Sequence, residues 1–134
     1  MMTILIVDDA PFMREILHQS LIKERQWRVV GHACDGQEAI EKALSLQPDL
    51  ILLDLVLPKK TGLEVAQFVH DKLPKTQILA MSTLSESETI LKALEAGCVN
   101  YLIKPFEEAQ LHKVIQRASE NIIKKQDIKI KDAI

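Results

Sequence analysis

The run Leu50-Ile51-Leu52-Leu53-Asp54 decides the fold. Four aliphatic residues in succession show no polar alternation, and the run is too short for a buried helix. Pro48-Asp49 breaks whatever precedes it, and Pro58 to Gly62 reads as a loop after it. A strand covered on both faces has this composition, and a central strand of a parallel sheet occupies such a position.

Outward from that run the same unit repeats in both directions. Thr3 to Val7 is β-branched and aliphatic and stops at Asp8-Asp9. Pro11 suits a first helical residue, because its missing N–H would have no partner there. Phe12, Met13, Ile16, Leu17 and Leu21 follow at helical spacing. Trp27 to Ala33 predicts a second strand, Asp35-Gly36 is turn chemistry, and Ala39, Ile40, Ala43 and Leu44 mark a second helix. Beyond Asp54, the residues Leu63, Ala66, Val69 and Leu73 mark a third helix stopped by Pro74. Gln77 to Met81 is a fourth strand. Ser85 and Glu88 have the spacing of a capping box, and Gly97 suits a left-handed end to the helix that carries Ile90, Leu91 and Leu94. Val99 to Ile103 is a fifth strand closed by Lys104-Pro105, and Leu111, Val114, Ile115 and Ala118 carry the last helix. Strict alternation of this kind predicts an α/β fold, a (βα)5 unit with a five-stranded parallel sheet and helices on both faces.

The length of 134 residues fits one domain, expected over residues 1–120. Residues 121–134 form a lysine-bearing tail, expected to extend the last helix or to be disordered. The net charge of −2 provides no field that would gather nucleic acid. The first residues lack a basic segment ahead of their apolar run, and no run reaches membrane-spanning length, so a cytoplasmic protein without membrane contact is expected. Cys34 and Cys98 make no disulfide framework and read as small buried hydrophobes. His18, His32, His70 and His112 are far apart in sequence, without metal-ligand spacing, and read as surface or satisfied histidines.

In an open parallel sheet, ligands bind at the carboxyl ends of the strands. The first strand ends in Asp8 and Asp9, the third in Asp54, the fourth in Ser82 and the fifth in Lys104. Three carboxylates on one rim repel one another, and a divalent cation relieves that repulsion. All-oxygen ligation suits Mg²⁺. A lysine and a hydroxyl complete a set that neutralises a phosphoryl group in transit, and one carboxylate can act as the nucleophile.

The set Val7-Asp8-Asp9, Leu53-Asp54-Leu55, Ser82 and Tyr101-Leu102-Ile103-Lys104-Pro105-Phe106 strongly resembles the receiver domain of two-component response regulators, over residues 3 to 120. Asp8-Asp9-Ala10-Pro11-Phe12-Met13-Arg14 and the chain length look most like the stand-alone, chemotaxis-type members. The resemblance implies the flavodoxin-like strand order 2-1-3-4-5. It implies Asp54 as phosphoacceptor, Asp8, Asp9, Asp54 and the Val56 carbonyl as the Mg²⁺ set, and Ser82 and Lys104 as holders of the phosphoryl oxygens. It further implies that Tyr101 turns inward with Ser82 as part of the switch, and that Lys104-Pro105 is a cis bond. The implied partners are a sensor histidine kinase or phosphotransfer protein and a downstream protein target, met through the surface of the fourth helix, fifth strand and last helix. The chain is expected as a monomer or a phosphorylation-dependent dimer.

Departures from the family pattern are Thr61, where aspartate is frequent, and Thr83, where a very small residue is usual. Val56 and Leu84, two residues beyond Asp54 and Ser82, are apolar and cannot orient a water by a side-chain hydrogen bond, so slow self-dephosphorylation is expected. An alternative, a Mg²⁺-dependent phosphohydrolase with an aspartyl intermediate, would place an acid where Val56 stands. A nucleotide- or flavin-binding domain would need a glycine-rich loop where Asp8-Asp9-Ala10-Pro11 stands.

Overall fold

The computed structural model describes the backbone of residues 1–133 and the side chains of residues 1–122. Ten elements alternate: β1 (Met2–Val7), α1 (Pro11–Leu21), β2 (Trp27–Ala33), α2 (Gly36–Leu46), β3 (Leu50–Asp54), α3 (Gly62–Lys72), β4 (Gln77–Ser82), α4 (Ser87–Glu95), β5 (Asn100–Ile103) and α5 (Glu108–Ala133). All strand pairs are parallel and the order is β2-β1-β3-β4-β5, as the resemblance implies. Of the tail 121–134, the side chains beyond Ile122 and all of residue 134 lie outside the described residues.

β3 is the middle strand, and all of its residues are buried. Its side chains alternate between two cores. Ile51 and Leu53 pack with Ala39 and Ala43 of α2, with α3, and with Ala93 of α4. Leu50 and Leu52 pack with Leu17 and Leu21 of α1 and with Leu111 and Ile115 of α5. Burying one such leucine contributes about 2 kcal/mol, so β3 is anchored from both faces and its end is a rigid mount. Register sets Val7 beside Leu53 and Ser82 beside Ile103, which brings the strand ends to one rim.

Several expectations need correction. Helical spacing on α1 identified apolar residues but not the stripe that packs: Leu17, Ser20 and Leu21 are buried, whereas Phe12 and Ile16 stand exposed. Met13 is half-buried against the second core. α4 does not start with the Ser85–Glu88 box. Its N-cap is Glu86, without a side-chain cap bond, because residues 83–85 stay in a loop begun when the Ser82 hydroxyl accepts the Leu84 N–H. Leu91 and Leu94 are exposed, and α4 is seated on the sheet by small Ala93. Asp35 and Gly36 begin α2, Asp35 capping it by accepting the Glu38 N–H at 2.8 Å. Cys98 is buried as expected, but Cys34 is only half-buried. No helix among the described residues is long and apolar enough to cross a membrane.

Candidate functional site

The β1–α1 turn is folded by its own sequence. Asp8 Oδ1 accepts the Ala10 N–H at 2.9 Å, and Pro11 then starts α1. One turn into the helix, Arg14 donates from its guanidinium to the Asp8 carbonyl at 2.6 Å. Asp8 is thereby turned into the rim and buried, while Asp9 remains exposed. Nothing in the spacing of the sequence distinguished Arg14 as the residue that holds this turn.

Asp54 ends β3 and is buried to 7% exposure. Its Oδ1 accepts the Val56 N–H at 2.9 Å, and the Leu55 N–H donates to the Met81 carbonyl of β4. Gly62 packs directly on this backbone: a Cβ there would lie 2.3 Å from Leu55 Cα and 2.6 Å from the Asp54 carbonyl oxygen. Thr61 caps α3 by accepting the Glu64 N–H, so a hydroxyl serves as the cap at this departure from the family pattern.

Lys104 follows β5, and its N–H donates to the Ser82 carbonyl at 2.8 Å. The Lys104–Pro105 peptide is cis. Lys104 Nζ lies 2.7 Å from Asp8 Oδ2 and 3.0 Å from Asp54 Oδ2, a cation bridging two strand ends. Burial pushes the Asp54 carboxyl above its ordinary value, and Asp8 adds to the rise, against the Val56 N–H and Lys104. For Lys104, burial favours the neutral amine, but the bonds to Asp8 and Asp54 outweigh it and hold the ammonium above its ordinary value.

Ser82 is buried, whereas Thr83 is exposed, so Ser82 is the hydroxyl set into the rim. Tyr101 is half-buried and donates from its hydroxyl to the Leu84 carbonyl at 2.6 Å, tying β5 to the loop after Ser82. Val56 and Leu84 are exposed apolar side chains.

The residues fit a hard divalent cation. One carboxylate oxygen from each of Asp8, Asp9 and Asp54 lies within 4.8 Å of the others, an all-oxygen donor set that suits Mg²⁺. Two of the three carboxylates are buried, and a positive group already bridges them, so negative charge is concentrated there.

Comparisons agree with this geometry. Residues 4–116 match the family model for the response regulator receiver domain. The chemotaxis protein CheY of Thermotoga maritima is 30% identical over 117 residues, spanning 87% of this chain and 97% of that protein. The nitrate/nitrite response regulator protein NarL of Escherichia coli is 38% identical, over 87% of this chain but only 54% of NarL. A CheY-like receiver domain protein of Methanospirillum hungatei superposes with a TM-score of 0.87 at 25% identity, covering 93% of this chain and 98% of that one.

Proposed function

The chain belongs to the response regulator receiver domain family, and from that premise we propose that it is a stand-alone phosphorylation switch whose Asp54 accepts a phosphoryl group from a phosphohistidine. The observation that carries this reading is that Lys104 Nζ meets Asp8 at 2.7 Å and Asp54 at 3.0 Å, although Lys104 lies 96 residues from Asp8 and 50 from Asp54. Buried like charges gathered on one rim with a single lysine do not arise for stability alone.

In this reading a carboxylate oxygen of Asp54 attacks phosphorus. The P–N bond of the donor breaks, its electron pair returns to the donor imidazole, and an acyl phosphate forms on Asp54. Rigid β3 and the Val56 N–H hold the attacking group in line. Lys104 moves from the carboxylates to a phosphoryl oxygen, and the Ser82 hydroxyl turns from the Leu84 N–H to donate to another. Mg²⁺, held by Asp8, Asp9, Asp54 and the Val56 carbonyl, would supply charge neutralisation for the phosphoryl oxygens.

The donor is a sensor histidine kinase or a phosphotransfer protein. Exposed Ile16 on α1 borders an apolar hollow of about 360 Å³, lined in part by Met13, Leu17, Pro105 and Phe106 beside Lys104; Phe12 is exposed on the same helix, and we assign donor contact to this face. On the other side, Ser82 and Tyr101 both bond to Leu84, one to its N–H and one to its carbonyl. Moving Ser82 toward phosphate therefore disturbs the Tyr101 anchor, and the switch is read on α4, β5 and α5 by a downstream protein or by a second copy of the chain. Exposed Leu91, Leu94 and Ile103 give that face apolar surface. We place the switch, residues 1–120 with 121–134 as its extension, in the cytoplasm with its donor. The absence of a side-chain acid two residues after Asp54 leaves a phosphohydrolase reading without an agent to protonate a leaving group. The test is incubation with a small phosphodonor, with and without Mg²⁺, followed by intact mass. One phosphoryl group is expected on the wild type with Mg²⁺, and none on Asp54→Asn.

A further inference from the structure

The phosphoryl chemistry does not use the two histidines that meet where α1 packs on β2. His18 of α1 and His32 of β2 are both half-buried, and Nδ1 of His18 lies 2.9 Å from Nε2 of His32. The ring planes differ by only 20° and the centroids are 5.1 Å apart. That separation exceeds the nitrogen contact by about one ring diameter, so the rings meet head-on and nearly coplanar, not face to face. The geometry is that of a single N–H···N hydrogen bond, which requires one nitrogen to donate and the other to accept.

Proton counting gives the pair a property that neither histidine has alone. With both rings neutral, or with one excess proton, a donor and an acceptor remain. With both rings protonated, two donors of like charge face each other and the bond is lost. The surroundings oppose the second proton. Arg14 on α1 and Lys42 on α2 are both close, and the Lys42 ammonium bonds the His32 carbonyl; Glu15 on α1 is the neighbouring carboxylate. Burial first, then His18, Arg14 and Lys42, hold His32 below the ordinary histidine value, with Glu15 opposing.

We infer that the His18–His32 pair is a proton-sensitive clamp between α1 and edge strand β2, closed by one hydrogen bond at neutral pH and opened when both rings carry a proton. In the unfolded chain both histidines charge below about pH 6.5. The folded pair resists the second proton, so the unfolded state binds more protons. The clamp therefore stabilises the fold fully above that value, and its contribution is lost as pH falls through the depressed His32 value. α1 also carries Phe12 and Ile16, so acid would loosen the face assigned above to the donor, although the clamp does not depend on that assignment.

The test compares wild type with His32→Gln, whose amide N–H reaches the same place without titrating. Chemical denaturation is followed between pH 7.5 and 5. The wild-type folding constant is expected to fall more steeply with acid, by up to about tenfold per pH unit for the one proton at issue. Equal slopes would overturn the inference. Ring ¹⁵N spectra of the wild type need no variant. The clamp predicts that the two rings together accept at most one excess proton while α1 amides stay protected from exchange. Independent protonation of both rings near pH 6.5, with that protection retained, would refute it. So would stoichiometric Zn²⁺ capture by both rings at neutral pH, which would make the pair a metal site.

Discussion

Gly62→Ala tests how tightly the mount of the proposed phosphoacceptor, Asp54, is built. The new Cβ would stand 2.3 Å from Leu55 Cα and 2.6 Å from the Asp54 carbonyl oxygen, both backbone atoms that cannot rotate away. Ordinary contact begins at 3.4 Å, so the end of β3 and the start of α3 must separate by about 1 Å. Overpacking of that kind costs about 1–3 kcal/mol, partly offset by the stiffer alanine backbone in the unfolded chain, about 0.5 kcal/mol. A fall of several degrees in Tm follows for a chain of this size. The larger effect falls on chemistry: a displacement of about 1 Å at a reacting group can reduce its rate about 100-fold. Gly31→Ala is the matched control, because its Cβ would meet at 2.9 Å only the tip of the Leu46 side chain. Thermal melts and the initial rate of phosphoryl incorporation are measured for both. A slow, destabilised Gly62→Ala is expected beside a near-normal Gly31→Ala. Wild-type rate and Tm in Gly62→Ala would refute it.

Lys104→Ala removes the cation that bridges Asp8 and Asp54, and in chelator it should lower stability by about 3–5 kcal/mol. Added Mg²⁺ should raise Tm more in this variant than in wild type; equal gains would show that the two cations do not share the carboxylates. The phosphorylated protein, freed of donor, should decay over minutes or longer, because Val56 and Leu84 offer no hydrogen-bonding side chain. Val56→Asn should shorten that lifetime, and decay within seconds in the wild type would contradict the reading. A thiol reagent should modify half-buried Cys34 in the native protein and spare Cys98, whose thiol burial pushes up to about 12. Equal native reactivity of the two would contradict the packing around Cys98.

The sheet was legible because its signals are local. Leu50 to Leu53 excludes a solvated face, and polar groups at the ends of apolar runs mark the rim by position alone. Asp8, Asp9, Asp54, Ser82 and Lys104 were found in this way, and the family resemblance added their roles. What remained hidden depends on three-dimensional choices. Spacing on α1 could not tell whether Phe12 or Leu17 faces the core, because both belong to apolar stripes of one helix. The start of α4 was misplaced because the Ser82 hydroxyl competes for the Leu84 N–H and delays the first turn. His18 and His32 meet only through the packing of α1 on β2, so their separation in sequence concealed them. Arg14 bonds a backbone carbonyl, a contact that leaves no pattern of residue types.

The proposed switch requires Asp54 to be the group that forms the acyl phosphate. Protein treated with Mg²⁺ and a phosphodonor can be reduced with borohydride, which converts an aspartyl phosphate to homoserine, and then mapped by peptide mass spectrometry. Homoserine at position 54, with Asp8 and Asp9 intact, is the predicted result. Homoserine at either of those positions, or phosphate that resists reduction and stays on Ser82, would contradict it.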